Sequence, residues 1–99
     1  MVSPRHGEVW WAELPEKRRP VLVLSHQEAI DAGVRGMIAI PITSRIRNLP
    51  SEANLDEDDG LSRPCVAAVD GILTVHRAFL TERMTVLGPE AMQRVCAAL

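Results

Sequence analysis

The chain has 99 residues, of which 46% are hydrophobic and 24% are charged, and its formal net charge is −2. This balance is that of an ordinary globular protein and excludes general disorder, and the length fits one domain better than two. No apolar run approaches the roughly 20 residues of a membrane span, and the acidic total excludes a strongly basic nucleic-acid binder without excluding a local basic face.

Charge is unevenly distributed along the chain. Residues 1–49 have a net charge of +2 and residues 50–99 a net charge of −4. Lys17 is the single lysine among 11 basic side chains, so nearly all positive charge is on arginine, whose planar fork of donors suits phosphate. The segment 1–8 lacks the apolar core of a signal peptide, which predicts a cytoplasmic protein.

Short apolar runs rich in β-forming residues dominate the chain. The first run ends at Pro15, and the second opens with Pro20, a position where a strand tolerates proline. The sequence predicts strands, in chain order, at 8–14, 20–25, 36–43, 51–55 (an edge strand in the polar stretch 44–59), 64–69, 72–75 and 84–87.

Helix signals are few. Residues 27–32 predict one or two turns, and residues 81–83 predict a single turn. A longer helix is predicted from Pro89, because proline suits the first helical turn and an acid follows it. The residues that recur at the spacing of one apolar helix face are Met92, Val95, Cys96 and Leu99.

The strands follow one another too closely for a helix between each pair, which argues against a parallel sheet. The sequence therefore predicts a mainly β fold: a small, strongly bent antiparallel sheet or barrel with a C-terminal helix. Residues 1–99 are expected to form one domain.

Several kinds of site are not supported by the sequence. The acidic run 56–60 fails the calcium-loop spacing and predicts a solvated turn. Cys65 and Cys96 stand in apolar contexts and are interpreted as reduced core thiols. His6, His26 and His76 have no metal-ligand spacing, although His76, at a predicted strand end, keeps an acid–base role open.

Adjacent tryptophans on the first strand point to opposite sides of the sheet. One of Trp10 and Trp11 is therefore expected in the core. The other is expected to be exposed or covered by a partner, where it would fill an interface or stack on a base.

Basic residues cluster at two places that can meet in space. Residues 17–19 lie on the turn between the first two strands, and Arg45 and Arg47 follow the third strand. Each cluster alone is ordinary for a solvated turn. Together they could contact phosphates from neighbouring loops, with the hydroxyls of Thr43 and Ser44 between them.

Three motifs in order resemble the MazF/PemK toxins of type II toxin–antitoxin systems. They are the segments 7–14 (GEVWWAEL), 19–25 (RPVLVLS) and 41–44 (PITS). Residues 69–75 and 80–83 and the closing helix are also similar to that family. The resemblance covers essentially the whole chain.

The resemblance implies an SH3-like barrel core, a homodimer, and a metal-independent endoribonuclease that needs no cofactor. Members of the family cut single-stranded RNA, mostly mRNA, at specific sequences and arrest growth until an antitoxin binds them. The arginine of the R-P pair and the threonine of the P-x-T motif are catalytic in the family. In this sequence they correspond to Arg19 and Thr43.

This chemistry agrees with the residues present. RNA carries its own nucleophile, the 2′-hydroxyl, so the protein has to position the phosphate and stabilise its developing charge. Arg19 suits that electrostatic role, with an acid role toward the leaving oxygen kept open, and Thr43 can orient the phosphate. The expected products have a 2′,3′-cyclic phosphate and a 5′-hydroxyl. Further RNA contacts are predicted at Arg18, Ser44, Arg45, Arg47, Leu49 and Pro50.

The chain departs from the family pattern at two points. Only residues 15–18 separate Leu14 from Arg19, where many members have a longer loop with a G-S-E segment. Some members also carry an amide side chain at the position of Gly71. These differences bear on the cut-site preference and leave Arg19 and Thr43 in place.

Two alternatives remain at the level of sequence. One is a protein-binding poison of the same fold, like the CcdB gyrase inhibitors, and the other is an RNA-binding or interaction module without catalysis. For the nuclease, the expected partner is a MazE-like antitoxin whose acidic C-terminal tail lies across the basic loops, 17–19 and 45–47.

Overall fold

A computed structural model describes residues 3–99 of the chain; Met1 and Val2, part of the segment considered above for a signal peptide, lie outside the described residues. The described part contains seven strands in one antiparallel sheet and two α-helices. The strands are β1 (Glu8–Glu13), β2 (Arg18–Val23), β3 (Gly36–Thr43), β4 (Glu52–Leu55), β5 (Cys65–Ala68), β6 (Leu73–His76) and β7 (Leu80–Val86). The helices are α1 (Gln27–Asp31) and α2 (Pro89–Ala98).

The long strand β3 organises the sheet. One of its edges pairs with β2, and the other pairs with β6 along its first half and with β5 at its end. The path through the sheet is β4-β5-β3-β2-β1-β7, with every pairing antiparallel. The predicted antiparallel fold with a C-terminal helix is confirmed.

The sheet separates two hydrophobic clusters, because alternate residues of a strand face opposite sides. On one face, Val9, Leu22 and Ile40 pack with residues of β4, β5 and α2. On the other, Trp10 and Val21 pack with residues of α1, β3 and β6. The sheet thus carries one hydrophobic cluster on each face.

The prediction that one of the two tryptophans lies in the core is confirmed. Trp10 is 5% exposed and donates from its indole nitrogen to Glu8 Oε1 at 3.0 Å. Trp11 points to the other face, where the Arg18 guanidinium lies 4.5 Å from the centre of its ring.

Of two predictions about the C-terminal third, one is wrong and the other is right in part. Residues 81–83 form the middle of β7, and the pairing of Trp10 with Arg83 and of Trp11 with Glu82 holds them extended. The predicted apolar face of α2 is confirmed at Val95 and Met92, which pack on the core, but not at Cys96 and Leu99, which are exposed. Ala91 and Val95 are buried, Met92 is half-buried, and Leu99 is 62% exposed.

The two cysteines differ from each other. Cys65 is buried, as predicted, and burial raises the pKa of its thiol, assisted by the negative charges of Asp59, Asp56 and Glu57. Its thiol therefore stays protonated. Cys96 is exposed, so its assignment to the core is wrong, because α2 turns that position to solvent.

The acidic run 56–60 forms a compact turn. The Asp56 carboxylate accepts from the backbone N–H of Asp58, and the Asp59 carboxylate accepts from the backbone N–H of Asp56. Arg94 of α2 donates to both oxygens of Asp59 at 2.9 Å. The run therefore anchors α2 to the end of β4.

Among residues 3–99, no helix is long and apolar enough to cross a membrane.

Candidate nucleic-acid interface

A polar groove lies at the end of the sheet where β2 begins and β3 ends. Its volume is about 510 Å³. Its walls come from the start of β2, the end of β3 with the loop that follows it, and the 3₁₀ turn Val69–Gly71. The lining residues are Lys17, Arg19, Pro41, Thr43, Arg45, Arg47, Leu49, Ser51, Glu52, Ala68, Asp70 and Gly71.

Strand register places Arg19 and Thr43 at the same end and on the same face of the sheet. Val21 pairs with Pro41, so Arg19, two residues before Val21, and Thr43, two residues after Pro41, both face the side to which that pair points. Both residues are half-buried. Two side chains 24 positions apart in sequence thus line one cavity on rigid strands.

The Thr43 hydroxyl is fixed by the chain that follows it. Its oxygen accepts from the backbone N–H of Arg45 at 3.1 Å. A hydroxyl has one hydrogen to donate as well as lone pairs to accept, so this bond leaves the Thr43 hydrogen available to an oxygen in the groove.

The loop between β3 and β4 is held by Glu52. One oxygen of its carboxylate accepts from the backbone N–H of Arg47 at 2.9 Å and from that of Leu49 at 3.3 Å. Between them Asn48 has a left-handed backbone with φ of 59°, which asparagine tolerates better than most residues. The bonds fix the course of the loop that brings Arg47 and Leu49 to the groove.

The 3₁₀ turn at Val69–Gly71 forms the third wall, and it packs closely on β3. A Cβ atom at Gly71 would lie 2.9 Å from Cγ of Pro41, so glycine is required for this approach. Next to it, the Ser51 hydroxyl donates to the Asp70 carboxylate at 2.7 Å. The missing side chain at Gly71, a departure from the family pattern, therefore has a packing reason.

The groove carries unpaired positive charge. Four of its lining side chains are cationic, namely Lys17, Arg19, Arg45 and Arg47, and two are acidic, namely Glu52 and Asp70. The ion pairs found within residues 3–99 involve other arginines, at positions 18, 83 and 94. Both groove acids already accept hydrogen bonds within the fold. The groove thus offers donors and charge to an anion.

The structure does not bring Arg18 into the groove. Strand alternation turns its side chain to the opposite face from Arg19, where it donates to Glu13 at 2.8 Å and to Glu82 at 3.1 Å. These contacts raise the pKa of Arg18, with the Glu13 hydrogen bond the largest cause. Arg18 therefore lies outside the groove and links β1, β2 and β7, while its RNA contact stays a prediction.

The other predicted contacts divide into two groups. Arg45, Arg47 and Leu49 line the groove, whereas Ser44 and Pro50 are exposed beside it without lining it. His76 lies at the far end of β6, where its Nδ1 accepts from the backbone N–H of Ala78 at 3.0 Å. Its role there is to cap a 3₁₀ turn.

Two groups that shape the site were not predicted from sequence. Glu52 orders the loop, and Ser51 ties that loop to Asp70. Glu52 acts through backbone N–H groups, and Ser51 acts through Asp70, which is distant in sequence. The acid three residues after Leu49 is the local signal that could have indicated Glu52.

Within residues 3–99, no group of three or more His, Cys, Asp or Glu side chains is arranged to hold a metal ion.

Comparison with known sequences gives consistent matches. The sequence profile described as the PemK-like, MazF-like toxin of type II toxin–antitoxin systems matches residues 5–99. A probable endoribonuclease MazF5 of Mycobacterium tuberculosis is 40% identical over 97% of this chain and 89% of its own length. A probable endoribonuclease MazF2 of the same organism is 32% identical over 96% of this chain and 93% of its own length.

Solved structures show the same fold. A mycobacterial endoribonuclease in complex with its cognate antitoxin superposes with a TM-score of 0.86 at 25% identity, covering 98% of this chain and 91% of that one. A MazE–MazF structure from Deinococcus radiodurans gives a TM-score of 0.81 at 26% identity, covering 99% and 93%. The similarity extends along nearly the whole length of both chains.

Proposed function

This chain belongs to the PemK-like, MazF-like toxins of type II toxin–antitoxin systems and is an endoribonuclease, and from that premise we propose how its groove cleaves RNA. Arg19 and Thr43 are the catalytic residues, and Arg45, Arg47 and Leu49 bind the RNA strand. The observation that carries the proposal is the convergence of Arg19, Thr43 and three further cations in one cavity.

The substrate's 2′-hydroxyl is the nucleophile in the proposed reaction. Its oxygen forms a new bond to phosphorus and loses its proton, while the bond from phosphorus to the 5′-oxygen breaks and that oxygen gains a proton. The products are a 2′,3′-cyclic phosphate and a 5′-hydroxyl. The protein does not enter a covalent intermediate, so its task is positioning and charge stabilisation.

Arg19 stabilises the negative charge that develops on the non-bridging oxygens. Its planar guanidinium can donate two parallel hydrogen bonds to a phosphate, and the absence of an acidic partner within residues 3–99 leaves those donors free. Groups of this kind contribute about 10²–10³-fold to rate when they meet developing charge. A guanidinium is a poor base because of its high pKa.

Thr43 positions the same phosphate. Its hydroxyl oxygen accepts from the Arg45 backbone N–H, which leaves the hydroxyl hydrogen available to donate to a phosphate oxygen. Arg45 and Arg47 then hold neighbouring phosphates of the strand. Single-stranded RNA suits such a groove because its bases can splay away from the backbone.

The proposal is tested by cutting a long single-stranded RNA in the presence of EDTA. Wild type should give discrete fragments with cyclic-phosphate ends. Arg19→Ala should lose about 10²–10³-fold in rate and Thr43→Ala about 10–10²-fold. Arg63→Ala is the matched control, because Arg63 is exposed and precedes β5 at the end of the β4–β5 hairpin away from the groove. Equal loss in all three variants, or no cutting by folded wild type, would overturn the assignment.

The partner we propose is a MazE-like antitoxin with an acidic C-terminal tail. The free cations of the groove would attract such a tail, which would then compete with RNA. Charge reversal at Lys17, Arg45 and Arg47 together should weaken antitoxin binding at least about tenfold. Unchanged neutralisation by the antitoxin would contradict this proposal. We further propose that residues 1–99 act as one domain, as a homodimer, in the cytoplasm.

A further inference from the structure

A second, smaller cavity adjoins the groove. Its volume is about 230 Å³, and its lining residues are Leu14, Pro15, Glu16, Lys17, Arg19 and Leu73. Lys17 and Arg19 line both cavities, so the pocket opens beside the proposed catalytic arginine. The mechanism proposed above does not use Leu14, Pro15, Glu16 or Leu73.

The walls of this pocket are fixed by the fold. The short connection between β1 and β2 closes as a tight turn, in which the backbone N–H of Leu14 donates to the carbonyl of Lys17 at 3.2 Å. The strands remain paired up to Glu13 and Arg18, whose side chains form an ion pair. Leu14 and Leu73 both pack against the hydrophobic cluster beneath them. The pocket is therefore preformed by the shortened turn.

The lining has the chemistry of a site for a flat, apolar ring with a polar edge and an attached anion. Leu14, Pro15 and Leu73 supply apolar contacts, while Lys17 and Arg19 supply positive charge on the side of the groove. A cavity of roughly 150 Å³ lined by apolar side chains suffices for a benzene ring. The available volume therefore admits a single nucleobase.

Glu16 gives this pocket a means of discrimination. A carboxylate accepts hydrogen bonds and donates none when ionised. Adenine, cytosine and guanine carry an exocyclic amino group that can donate to it. The one base-edge donor of uracil, N3–H, lies between two carbonyl oxygens, which repel a carboxylate. Glu16 lies on the turn itself, with its backbone position fixed by the hydrogen bond that closes the turn.

We propose that this pocket holds the base adjacent to the scissile phosphate and that Glu16 selects a base with an exocyclic amino group over uracil. The inference rests on the proposed function, because it places the scissile phosphate at Arg19. It assigns a specificity role to residues 14–17, the segment in which this chain is shorter than many members of its family.

The test is to map cut sites on a single-stranded RNA pool of random sequence, in EDTA, for wild type and Glu16→Gln. Wild type should disfavour uracil by about tenfold at one position next to the cut. Glu16→Gln should reduce that preference to less than about threefold, because a glutamine amide can also donate to the O4 atom of uracil. The readout is the ratio of cut frequencies among the four bases within one RNA pool, so it does not depend on the total cutting rate of either variant.

Glu57→Gln is the matched control, because it makes the same chemical change at an exposed acid outside both cavities. Cut-site preferences that are identical in wild type, Glu16→Gln and Glu57→Gln would overturn the pocket assignment while the nuclease assignment stands. Wild type that tolerates uracil at every position beside the cut would do the same. Absence of any cutting by wild type would instead remove the proposed function, and this inference with it.

Discussion

Two neighbouring arginines on β2 show how the same side chain serves two purposes. Arg18 faces Trp11 and forms ion pairs with Glu13 and Glu82. Arg19 faces the groove, where no carboxylate within residues 3–99 pairs with it. The difference teaches that an arginine paired with carboxylates supports the fold, whereas an arginine without such a partner on a rigid strand is available to a ligand. A cluster of basic residues in a sequence does not distinguish these two roles of arginine.

The largest expected effect comes from changing each arginine to lysine, which keeps the charge and removes the planar fork. Arg19→Lys should lose about 10²-fold in kcat for RNA cleavage, because a lysine ammonium cannot make the two parallel hydrogen bonds. Arg18→Lys should stay within about threefold of wild type, since exposed ion pairs contribute little. Single-turnover cleavage of a short RNA measures the rates of both variants. Equal losses of rate would show that Arg18 and Arg19 do not have different roles.

The next effect concerns Thr43, the partner of Arg19 in the groove. Thr43→Val keeps the shape and removes the hydroxyl, so kcat should fall about tenfold or more. Thr43→Ser keeps the hydroxyl and should stay within about threefold of wild type. The same single-turnover assay distinguishes them. If valine and serine behave alike, the hydroxyl has no part in positioning the phosphate.

A buried acid at the other end of β1 extends the comparison to stability. Burial by itself raises the pKa of Glu8, but hydrogen bonds from Trp10 and from the Arg5 backbone, together with Arg83, outweigh it and lower the pKa below its usual 4.5. A carboxylate with a lowered pKa in the folded state stabilises the protein above its usual pKa, and this contribution is lost as the pH falls through the folded-state pKa.

Glu8→Gln should therefore lower the free energy of unfolding by about 1–3 kcal/mol at neutral pH. The difference from wild type should shrink as the pH falls below about 4.5, where the unfolded chain takes up the Glu8 proton, and be lost as the pH passes through the lower folded-state pKa. Urea unfolding between pH 3 and pH 7 measures it. A difference that is constant across this range would show that the charge of Glu8 is not what stabilises the fold. Cleavage per folded molecule should not change, because Glu8 lies outside the groove.

The smallest expected effect is a change in the salt dependence of RNA affinity when a groove arginine is removed. Each phosphate contact to single-stranded RNA adds roughly −0.7 to the slope of log affinity against log salt. Arg45→Ala and Arg47→Ala should each make the slope less steep by about that amount, and Arg18→Ala should leave it unchanged. Binding of an RNA with a 2′-deoxy nucleotide at the cut site, titrated at several salt concentrations, gives the slopes. A slope change in Arg18→Ala would place that residue on the RNA after all.

Much of this protein was determined by its sequence read locally. Alternating apolar runs and prolines located the strands within one or two residues for β1 to β6, because strand periodicity depends on near neighbours. The first residue of α2 was predictable because proline suits the first turn of a helix. The motifs around Arg19 and Thr43 indicated the family before any fold was known.

Only the tertiary structure decided which side chains share a surface. Residues 81–83 became strand because β1 offered them a partner, and the buried face of α2 was set by what packs beneath it. The separation of Arg18 from Arg19 depends on the face that each presents in the folded sheet. Glu52, Asp70 and Gly71 joined the groove through contacts with residues distant in sequence or with backbone groups. Pairing partners and packing surfaces are long-range properties, and local composition does not specify them.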